Sequence, residues 1–243
     1  MLSRKAFFRF LLYLIIANID VVTHATGEPA EVTAQVKVNL VDATSLRKRH
    51  SNEGVVLWLT PIDAAASAIR PDGETKSRFQ LVQKNKQFVP HLLVVPVGSV
   101  VDFPNLDPFF HNVFSKFNGK RFDLGLYESG SSRSVHFDRP GVSYIFCNIH
   151  PEMSAVVVSV PTPYFAVSSA AGNIVIHAVA PGVYMMHVWA MGDSDTNLAA
   201  VGHRVSVSGS GLDLGTIALE ESAPAAHKNK FGEEYEEKKP SSY

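Results

Sequence analysis

One short segment of this sequence carries the side chains best suited to hold a soft metal ion. The segment "CNIHPEM" contains Cys147, His150 and Met153, and Cys147 is the only cysteine among the 243 residues. A thiolate, an imidazole and a thioether are soft or borderline ligands, and together they suit copper. A trigonal copper site uses two histidines, one cysteine and a weak axial methionine. This segment therefore offers most of such a site from a single loop.

The second histidine must come from elsewhere in the chain, and His111 is the best candidate. It follows the turn-forming segment "PNLDP" and opens the strand-like segment "HNVFS". A histidine at this position can point out of one end of a β-sandwich, where the loop after a different strand can meet it. We therefore predict a copper site formed by His111, Cys147, His150 and Met153.

Other interpretations of these residues stay open at this stage. A lone cysteine can be a small buried hydrophobe, and a methionine can simply fill the core. Zinc is a competing ion, although it favours harder or more numerous ligands than one thiolate with a thioether. A cysteine–histidine hydrolase would need an orienting Asn or Asp and an oxyanion hole. No familiar nucleophile motif surrounds Cys147.

The segments that must position these side chains have the pattern of β-strands. They are rich in β-branched and aromatic residues, and Gly, Pro, Asn and Asp separate them, as in "HLLVVPVGSVVDFPN", "RFDLGLY", "VSYIFCN" and "AVVVSV". Short strands with regular turn signals predict an all-β sandwich or barrel. The chain has no sustained 3.6-residue periodicity, so a helical fold is not expected.

Residues 79–160 resemble the cupredoxins, the type 1 blue copper proteins. The Cys-x-x-His-x-x-Met loop, with Pro151 after its histidine, is similar to that of the amicyanins. The segment "FVPHLLVVPVGSVVDFPNLD" resembles the strands before the first copper histidine of plastocyanin-like proteins. The pattern is also similar to bacterial proteins labelled methylamine-utilisation proteins. The resemblance implies a Greek-key β-sandwich with one mononuclear type 1 copper, for which Cys147 supplies the thiolate and Met153 the axial ligand.

The resemblance also implies roles for residues beside the ligands. Asn112 matches the family position whose backbone N–H approaches the cysteine sulfur and tunes the reduction potential. Ile149 departs from the pattern, because amicyanin-like loops commonly have proline there. A set of apolar residues around the ligands predicts a docking patch for a redox partner, with ordinary end-cap packing as the alternative. These residues are Pro108, Phe109, Phe110, Ile149 and Pro151.

The N-terminus predicts export from the cytoplasm. Arg4, Lys5 and Arg9 precede a short apolar run, and small residues around Ala25 suit a signal peptidase. The run is shorter than the ~20 apolar residues of a membrane span. We therefore predict a signal peptide over residues 1–25, a periplasmic location in a bacterium and no membrane span after cleavage, with an uncleaved N-terminal anchor as the alternative.

The rest of the chain predicts additional units. Residues 162–219 resemble small transthyretin-like sandwiches of the carboxypeptidase-regulatory type, through the segment "PYFAVSSAAGNIVIHAVAPGVYMMHVWA". The strand-like stretches 30–41 and 54–62 could pack with either sandwich. The predicted division is a signal (1–25), extra N-terminal strands (26–77), a cupredoxin copper domain (78–161), a transthyretin-like β-sandwich (162–219) and a disordered tail (220–243).

These observations predict an electron carrier rather than an enzyme. The formal net charge of −1 gives no support for nucleic-acid binding. We expect the protein to pass single electrons between redox protein partners through transient contacts, without transforming a substrate. A copper carrier or chaperone is the first alternative, and a structural β-sandwich module stiffened by a metal is the second.

Overall fold

The structure is a computed structural model, and it describes residues 28–40, 52–63, 78–116, 119–191, 202–221, 230, 231 and 233. The described part of the chain is all-β, which confirms the predicted fold class. It contains no helix that is long and apolar enough to cross a membrane. The predicted signal (1–25), residues 64–77 of the predicted N-terminal unit and most of the predicted tail (220–243) lie outside the described residues.

The described residues form a succession of short strands separated by turns. In chain order they are β1 (Ala30–Leu40), β2 (Val56–Pro61), β3 (Arg78–Gln80), β4 (Val82–Lys84), β5 (Gln87–Val89), β6 (Leu92–Pro96), β7 (Ser99–Pro104), β8 (His111–Ser115), β9 (Phe122–Tyr127), β10 (Ser132–Phe137), β11 (Gly141–Phe146), β12 (Ser154–Val160), β13 (Phe165–Val167), β14 (Asn173–Val179), β15 (Gly182–Trp189), β16 (Arg204–Val207) and β17 (Leu212–Glu221).

These strands pair into four sheets and one small hairpin. Two sheets come from the middle of the chain, with strand orders β10-β7-β3 and β6-β12-β11-β8-β9. The other two combine the N-terminal and C-terminal strands, with orders β14-β1-β17 and β13-β2-β15-β16. Strands β4 and β5 form the hairpin. The extra N-terminal strands thus pair with strands after residue 162, a point that the sequence left open.

Three hydrophobic cores stack the sheets into layers. One core lies between the β14-β1-β17 and β13-β2-β15-β16 sheets, and another lies between the β6-β12-β11-β8-β9 and β10-β7-β3 sheets. A third core joins the two sandwiches, with Val56 and Trp189 on one side and Val156 and Val158 on the other. The segments that carry the candidate ligands belong to the first sandwich, built from β3 to β12, and the N-terminal and C-terminal strands form the second sandwich.

Strand β12 shows why the sequence forms this arrangement. Its run "SAVVVSV" is apolar at consecutive positions, which is typical of a strand buried on both faces. Ala155 and Val157 face the core of the first sandwich, whereas Val156, Val158 and Val160 face the second sandwich. Strand β1 instead alternates, so that only one of its faces is buried.

Two boundaries differ from the expected organisation. Strand β17 extends to Glu221, two residues into the stretch predicted to be disordered. Lys230 in the same stretch makes hydrogen bonds to the rest of the protein. The transthyretin-like resemblance and the division into domains stay predictions.

Candidate metal centre

The candidate ligands lie on two structural elements, strand β8 and the loop between β11 and β12, in the first sandwich. His111 is the first residue of β8, and Cys147 directly follows β11. His150 and Met153 lie in the loop that joins β11 to β12. The loop is closed by a turn in which the Met153 N–H donates to the His150 carbonyl at 3.0 Å. Pro151 occupies the position of this turn that proline favours, because its ring presets the backbone angle.

The structure brings His111, Cys147 and His150 together. The Cys147 Sγ lies 3.6 Å from the Nδ1 of His111 and 3.7 Å from the Nδ1 of His150. The two Nδ1 atoms are 3.1 Å apart. Among the described residues, these three form a group whose donor atoms all lie within 4.8 Å of one another. His111 lies 36 positions before Cys147 in the sequence, so its approach to the loop that carries the other two donors is a property of the fold.

The dimensions of this triangle fit a metal ion bound by all three donors. A first-row metal binds imidazole nitrogen at about 2.0 Å and thiolate sulfur at about 2.3 Å, so donors that share one ion lie at most about 4.3 Å apart. The two Nδ1 atoms, 3.1 Å apart, meet this limit. The observed sulfur–nitrogen distances are 3.6 and 3.7 Å. A thiolate with two imidazoles is also the donor set that a trigonal copper site uses. The residues therefore fit copper.

A buried carboxylate determines which nitrogen of His111 faces this triangle. The Asp107 Oδ2 lies 2.8 Å from the His111 Nε2, and both side chains are buried. An ionised carboxylate can only accept hydrogen bonds, so the ring proton must lie on Nε2. In the neutral ring, Nδ1 then carries a free lone pair that points toward Cys147. Metal-binding histidines commonly donate a hydrogen bond from their second ring N–H to such an acceptor.

Asp107 is itself fixed by a hairpin turn. Asn85 and Lys86 connect β4 to β5 with φ angles of 56° and 54°, the left-handed conformation of a tight hairpin turn. Their backbone N–H groups donate to the Asp107 carboxylate at 2.6 and 2.9 Å. Burial alone would raise the pKa of Asp107, but these hydrogen bonds and the one from His111 outweigh it and lower the pKa. The carboxylate is therefore ionised at neutral pH.

The segment between β7 and β8 is organised by Asn105. Its Oδ1 accepts the backbone N–H of Asp107 at 3.0 Å, which forms an Asx turn. Its Nδ2 donates to the carbonyl of Phe109 at 2.8 Å. The turn formed by "PNLDP" thus allows the side chain of Asp107 to reach that of His111.

Cys147 is fully buried and its sulfur accepts backbone hydrogen bonds. Burial is the largest influence on its thiol and raises the pKa, although N–H groups of Asn112, Ile149 and His150 bond to the sulfur and oppose the rise. Asn112, which the resemblance singled out, is thus among the donors to the sulfur, and its effect on the reduction potential stays a prediction. The side chain of Asn112 donates to Asp123 Oδ1 at 2.7 Å, which fixes the residue on the neighbouring strand β9.

Met153 is fully buried, and it lies three positions after His150 in the same loop. Its carbonyl accepts the N–H of Cys147 at 3.2 Å, and its side chain packs in the same hydrophobic core as Cys147. Its assignment as axial ligand stays a prediction.

The predicted docking residues divide into two groups. Phe109 is half-buried, and its ring centroid lies 5.2 Å from that of His111 and 5.5 Å from that of His150. Phe110 is 51% exposed and Ile149 is 42% exposed. Pro108 and Pro151 are also exposed. Phe109 thus packs on both imidazoles, whereas the others form surface around the partly exposed His150.

The remaining described histidines lie away from this group. His91 and His136 are exposed and lie within hydrogen-bond distance of backbone carbonyls. His177 pairs with Glu31 at 2.9 Å. The ring of His187 stacks on Trp58, and burial lowers its pKa. No described histidine beyond His111 and His150 belongs to a cluster of possible ligands.

Sequence reasoning did not identify Asp107, Asp123 or Lys230. Asp107 stands four residues before His111 in a segment interpreted only as a turn. A carboxylate so close to a candidate ligand was the available signal. Asp123 and Lys230 carry no local signal, because their link to the site depends on pairing across the fold.

Comparison with known proteins finds partial structural likeness. No protein-family model matches the chain, and no curated protein is significantly similar to it. A purple cupredoxin from Nitrosopumilus maritimus shares 24% identity, with 34% of this chain and 99% of that chain covered and a TM-score of 0.31. Amicyanin from Paracoccus versutus shares 17% identity, with 42% and 91% covered and a TM-score of 0.30.

A copper-containing nitrite reductase from Thermus scotoductus shares 23% identity, with 42% of this chain and 25% of that chain covered and a TM-score of 0.33. These likenesses are each confined to part of the chain. The assignment of function therefore rests on the side chains of the site.

Proposed function

We propose that this protein is an exported, periplasmic electron carrier that binds one type 1 copper ion. His111, Cys147 and His150 would be the strong ligands, and Met153 the weak axial ligand. The observation that carries the proposal is the convergence of one sulfur and two imidazole Nδ1 atoms within 4.8 Å of one another. When bound, copper supplies a one-electron couple between its Cu(I) and Cu(II) states.

The protein around these donors is suited to hold them in fixed positions. Cys147 and His111 are fully buried, which excludes water from two of the three donors. Hydrogen bonds to the Cys147 sulfur and from His111 to Asp107 limit the rotation of both side chains. Donors that cannot move favour electron transfer, because little structure has to rearrange when the charge of the ion changes.

His150 is the donor best placed to face a redox partner. It is partly exposed, whereas the other two donors are buried. Exposed Ile149 directly precedes it in the loop, and exposed Phe110 directly precedes the other histidine, His111. Leu106, in the segment before His111, adds a third large apolar side chain that is 58% exposed. A small apolar surface suits a short-lived contact, which typically buries little area. We therefore propose that a redox protein docks at this end.

The burial of the donors favours an electron carrier over a copper chaperone. A chaperone must release its ion, which open loops with exposed ligands allow more readily. Equilibrium dialysis of the copper-loaded protein against a Cu(I) chelator measures this difference. Retention of copper supports the electron carrier, whereas rapid loss supports the chaperone.

The visible and EPR spectra of the copper-loaded protein test the proposal directly. We expect intense visible absorption from thiolate-to-copper charge transfer, and its loss in Cys147→Ala with the fold preserved. Met153→Leu should keep the colour and raise the reduction potential, because a weak donor is lost. A colourless wild-type protein would contradict the proposal, and a colourless Met153→Leu variant would contradict the axial assignment alone.

The second sandwich has a proposed supporting role. We propose that the unit containing residues 162–219 is transthyretin-like and presents or tethers the copper domain, with no catalytic group of its own. As an electron carrier, the protein would transform no substrate.

A further inference from the structure

The segment at Lys230 lies against the metal-binding end of the protein. The backbone N–H of Lys230 donates to the Oδ1 of Asn148 at 3.0 Å. Its side-chain Nζ donates to the Oδ2 of Asp123 at 2.9 Å. Asn148 directly follows Cys147, and Asp123 lies on β9. One residue from the charged C-terminal stretch therefore contacts two elements that are far apart in sequence.

These contacts continue to the sulfur of Cys147 through Asn112. The carboxylate of Asp123 accepts from Lys230 through Oδ2 and from the Asn112 side chain through Oδ1, the latter at 2.7 Å. The backbone N–H of Asn112 bonds to the Cys147 sulfur. A connected path thus leads from the ammonium group of Lys230 to the hydrogen bond that the sulfur accepts.

The two contacts act on two different elements next to Cys147. The contact with Asn148 fixes the start of the loop, and the contact with Asp123 fixes the strand pair β8–β9 that carries Asn112. Lys230 Nζ also lies 5.4 Å from the centre of the Phe231 ring, which limits the freedom of the lysine side chain. Its side chain is 25% exposed, so the ion pair is partly shielded from solvent.

We propose that Lys230 is a positioning residue that clamps the Cys147 loop to strand β9 and so sets the hydrogen bond from Asn112 to the sulfur. The spectroscopic consequence rests on the proposed copper site, whereas the clamp itself is a property of the metal-free protein. Lys230 touches no candidate ligand directly. It acts through Asn148, Asp123 and Asn112.

The single cysteine allows a direct measurement of the clamp without metal. The rate at which iodoacetamide alkylates Cys147 in the full metal-free chain reports how often the loop opens, under mild urea at which the reaction is measurable. A chain that ends after Asn229 loses both contacts, and we expect its rate to rise about fivefold. Lys230→Ala keeps the backbone contact with Asn148, so its rate should rise only about twofold.

Three control variants separate the clamp from general effects. A chain that ends after Glu233 keeps Lys230 and should react like the full chain. Lys230→Arg keeps the positive charge and should restore most of the protection. Lys120→Ala removes a similar partly buried ion pair, with Asp138 at 2.9 Å, and should leave the rate unchanged.

The copper-loaded proteins then test positioning. The thiolate-to-copper band of Lys230→Ala should shift relative to the full chain, and that of Lys120→Ala should not. Unchanged alkylation in the chain ending after Asn229 would overturn the clamp. Faster alkylation with an unshifted band would show that the segment only covers the loop, and would overturn the positioning role. If even the full chain stays colourless, the proposed function fails, while alkylation still decides the clamp.

Discussion

The position of one proton on His111 determines whether this site can accept a metal. Asp107 accepts from Nε2 at 2.8 Å, so the lone pair on Nδ1 is directed at Cys147. The same carboxylate accepts two backbone N–H groups from the turn between β4 and β5. Asp107 thus joins the hairpin to the ligand, and its side chain has both a structural and an orienting effect.

Removal of the Asp107 carboxylate should destabilise the protein and disorder His111. Asp107→Ala removes the acceptor of three N–H donors, of which the His111 ring N–H is buried and the two backbone donors are partly buried, so we expect the free energy of unfolding to fall by about 2–4 kcal/mol. Asp107→Asn keeps one acceptor oxygen and should lose about half as much. Urea denaturation of the metal-free protein measures both, and nitrogen NMR of His111 reports its tautomer. Equal stability of Asp107→Ala and the wild type would contradict this role.

The turn before β14 lies very close to β1 at Gly172, where there is no room for a side chain. Its φ is +89°, and an added Cβ would lie 2.3 Å from the carbonyl oxygen of Val36 on β1. Its own carbonyl accepts the Val36 N–H at 2.8 Å. The turn before β14 therefore approaches β1 too closely for any side chain.

Gly172→Ala should destabilise the second sandwich by about 2 kcal/mol or more, because backbone strain adds to a contact that only backbone movement can relieve. Gly215→Ala is the matched control in the same sandwich. Its φ is +66°, and an added Cβ would meet nothing within 4 Å. Its cost should be limited to the strain, about 1 kcal/mol. Thermal unfolding of the two variants compares them, and similar midpoints would contradict the close approach.

Asp102 links three strands of one sheet and should make its stability depend on pH. It lies on β7, where Arg78 of β3 and Ser134 of β10 both donate to its carboxylate. Burial by itself would raise the pKa of Asp102, but the bonds from Ser134 and Arg78 and the charge of Arg78 lower it overall. A lowered pKa in the folded state stabilises the protein above the usual carboxylate pKa, and this contribution is lost as the pH falls through the folded-state pKa.

Asp102→Asn should therefore be less stable than the wild type near neutral pH by about 1 kcal/mol or less, since Arg78 is mostly exposed. The difference should shrink below about pH 4, where the wild-type carboxyl becomes protonated. Urea denaturation across this pH range measures the difference. If the difference in the free energy of unfolding stayed constant below about pH 4, the charge of Asp102 would contribute nothing to stability.

The sequence predicted elements and ligands better than it predicted their partners. Cys147, His150 and Met153 lie in one loop, and the turn before His111 is visible as "PNLDP". Local signals were therefore enough to select the three donors that converge in the structure, whereas the axial role of Met153 stays a prediction. The partners of β1 and the contacts of Lys230 depend on pairing between residues more than eighty positions apart. Charge and low hydrophobicity predicted disorder for the tail, but composition cannot reveal two specific hydrogen bonds.

The third hydrophobic core makes the two sandwiches dependent on each other. Trp189 and Val56 from one sandwich pack with Val156 and Val158 from the other, and all four are buried. The β6-β12-β11-β8-β9 and β13-β2-β15-β16 sheets are therefore each covered on both faces. Damage to this core should affect the molecule as a whole.

Trp189→Ala should lower the free energy of unfolding by about 3–5 kcal/mol, because it leaves a large cavity between the sheets. Val175→Ala on the outer face of β14 is the control, since Val175 is 37% exposed. Its effect should be within about 0.5 kcal/mol. Urea denaturation followed by far-ultraviolet circular dichroism measures both. Equal stability of the two variants would contradict the packing of the sandwiches against each other.

The pairing of β1 with β17 has a consequence for the order in which the polypeptide becomes compact. Strands β3 to β12 are contiguous, and they are inserted between β2 and β13, which pair with each other. The inserted unit can collapse on contacts made within it, whereas one edge of β1 must wait for residues 212–221, which follow it by about 180 positions in the chain. The polypeptide can thus bring its sulfur and imidazole donors together while β1 still has one unpaired edge.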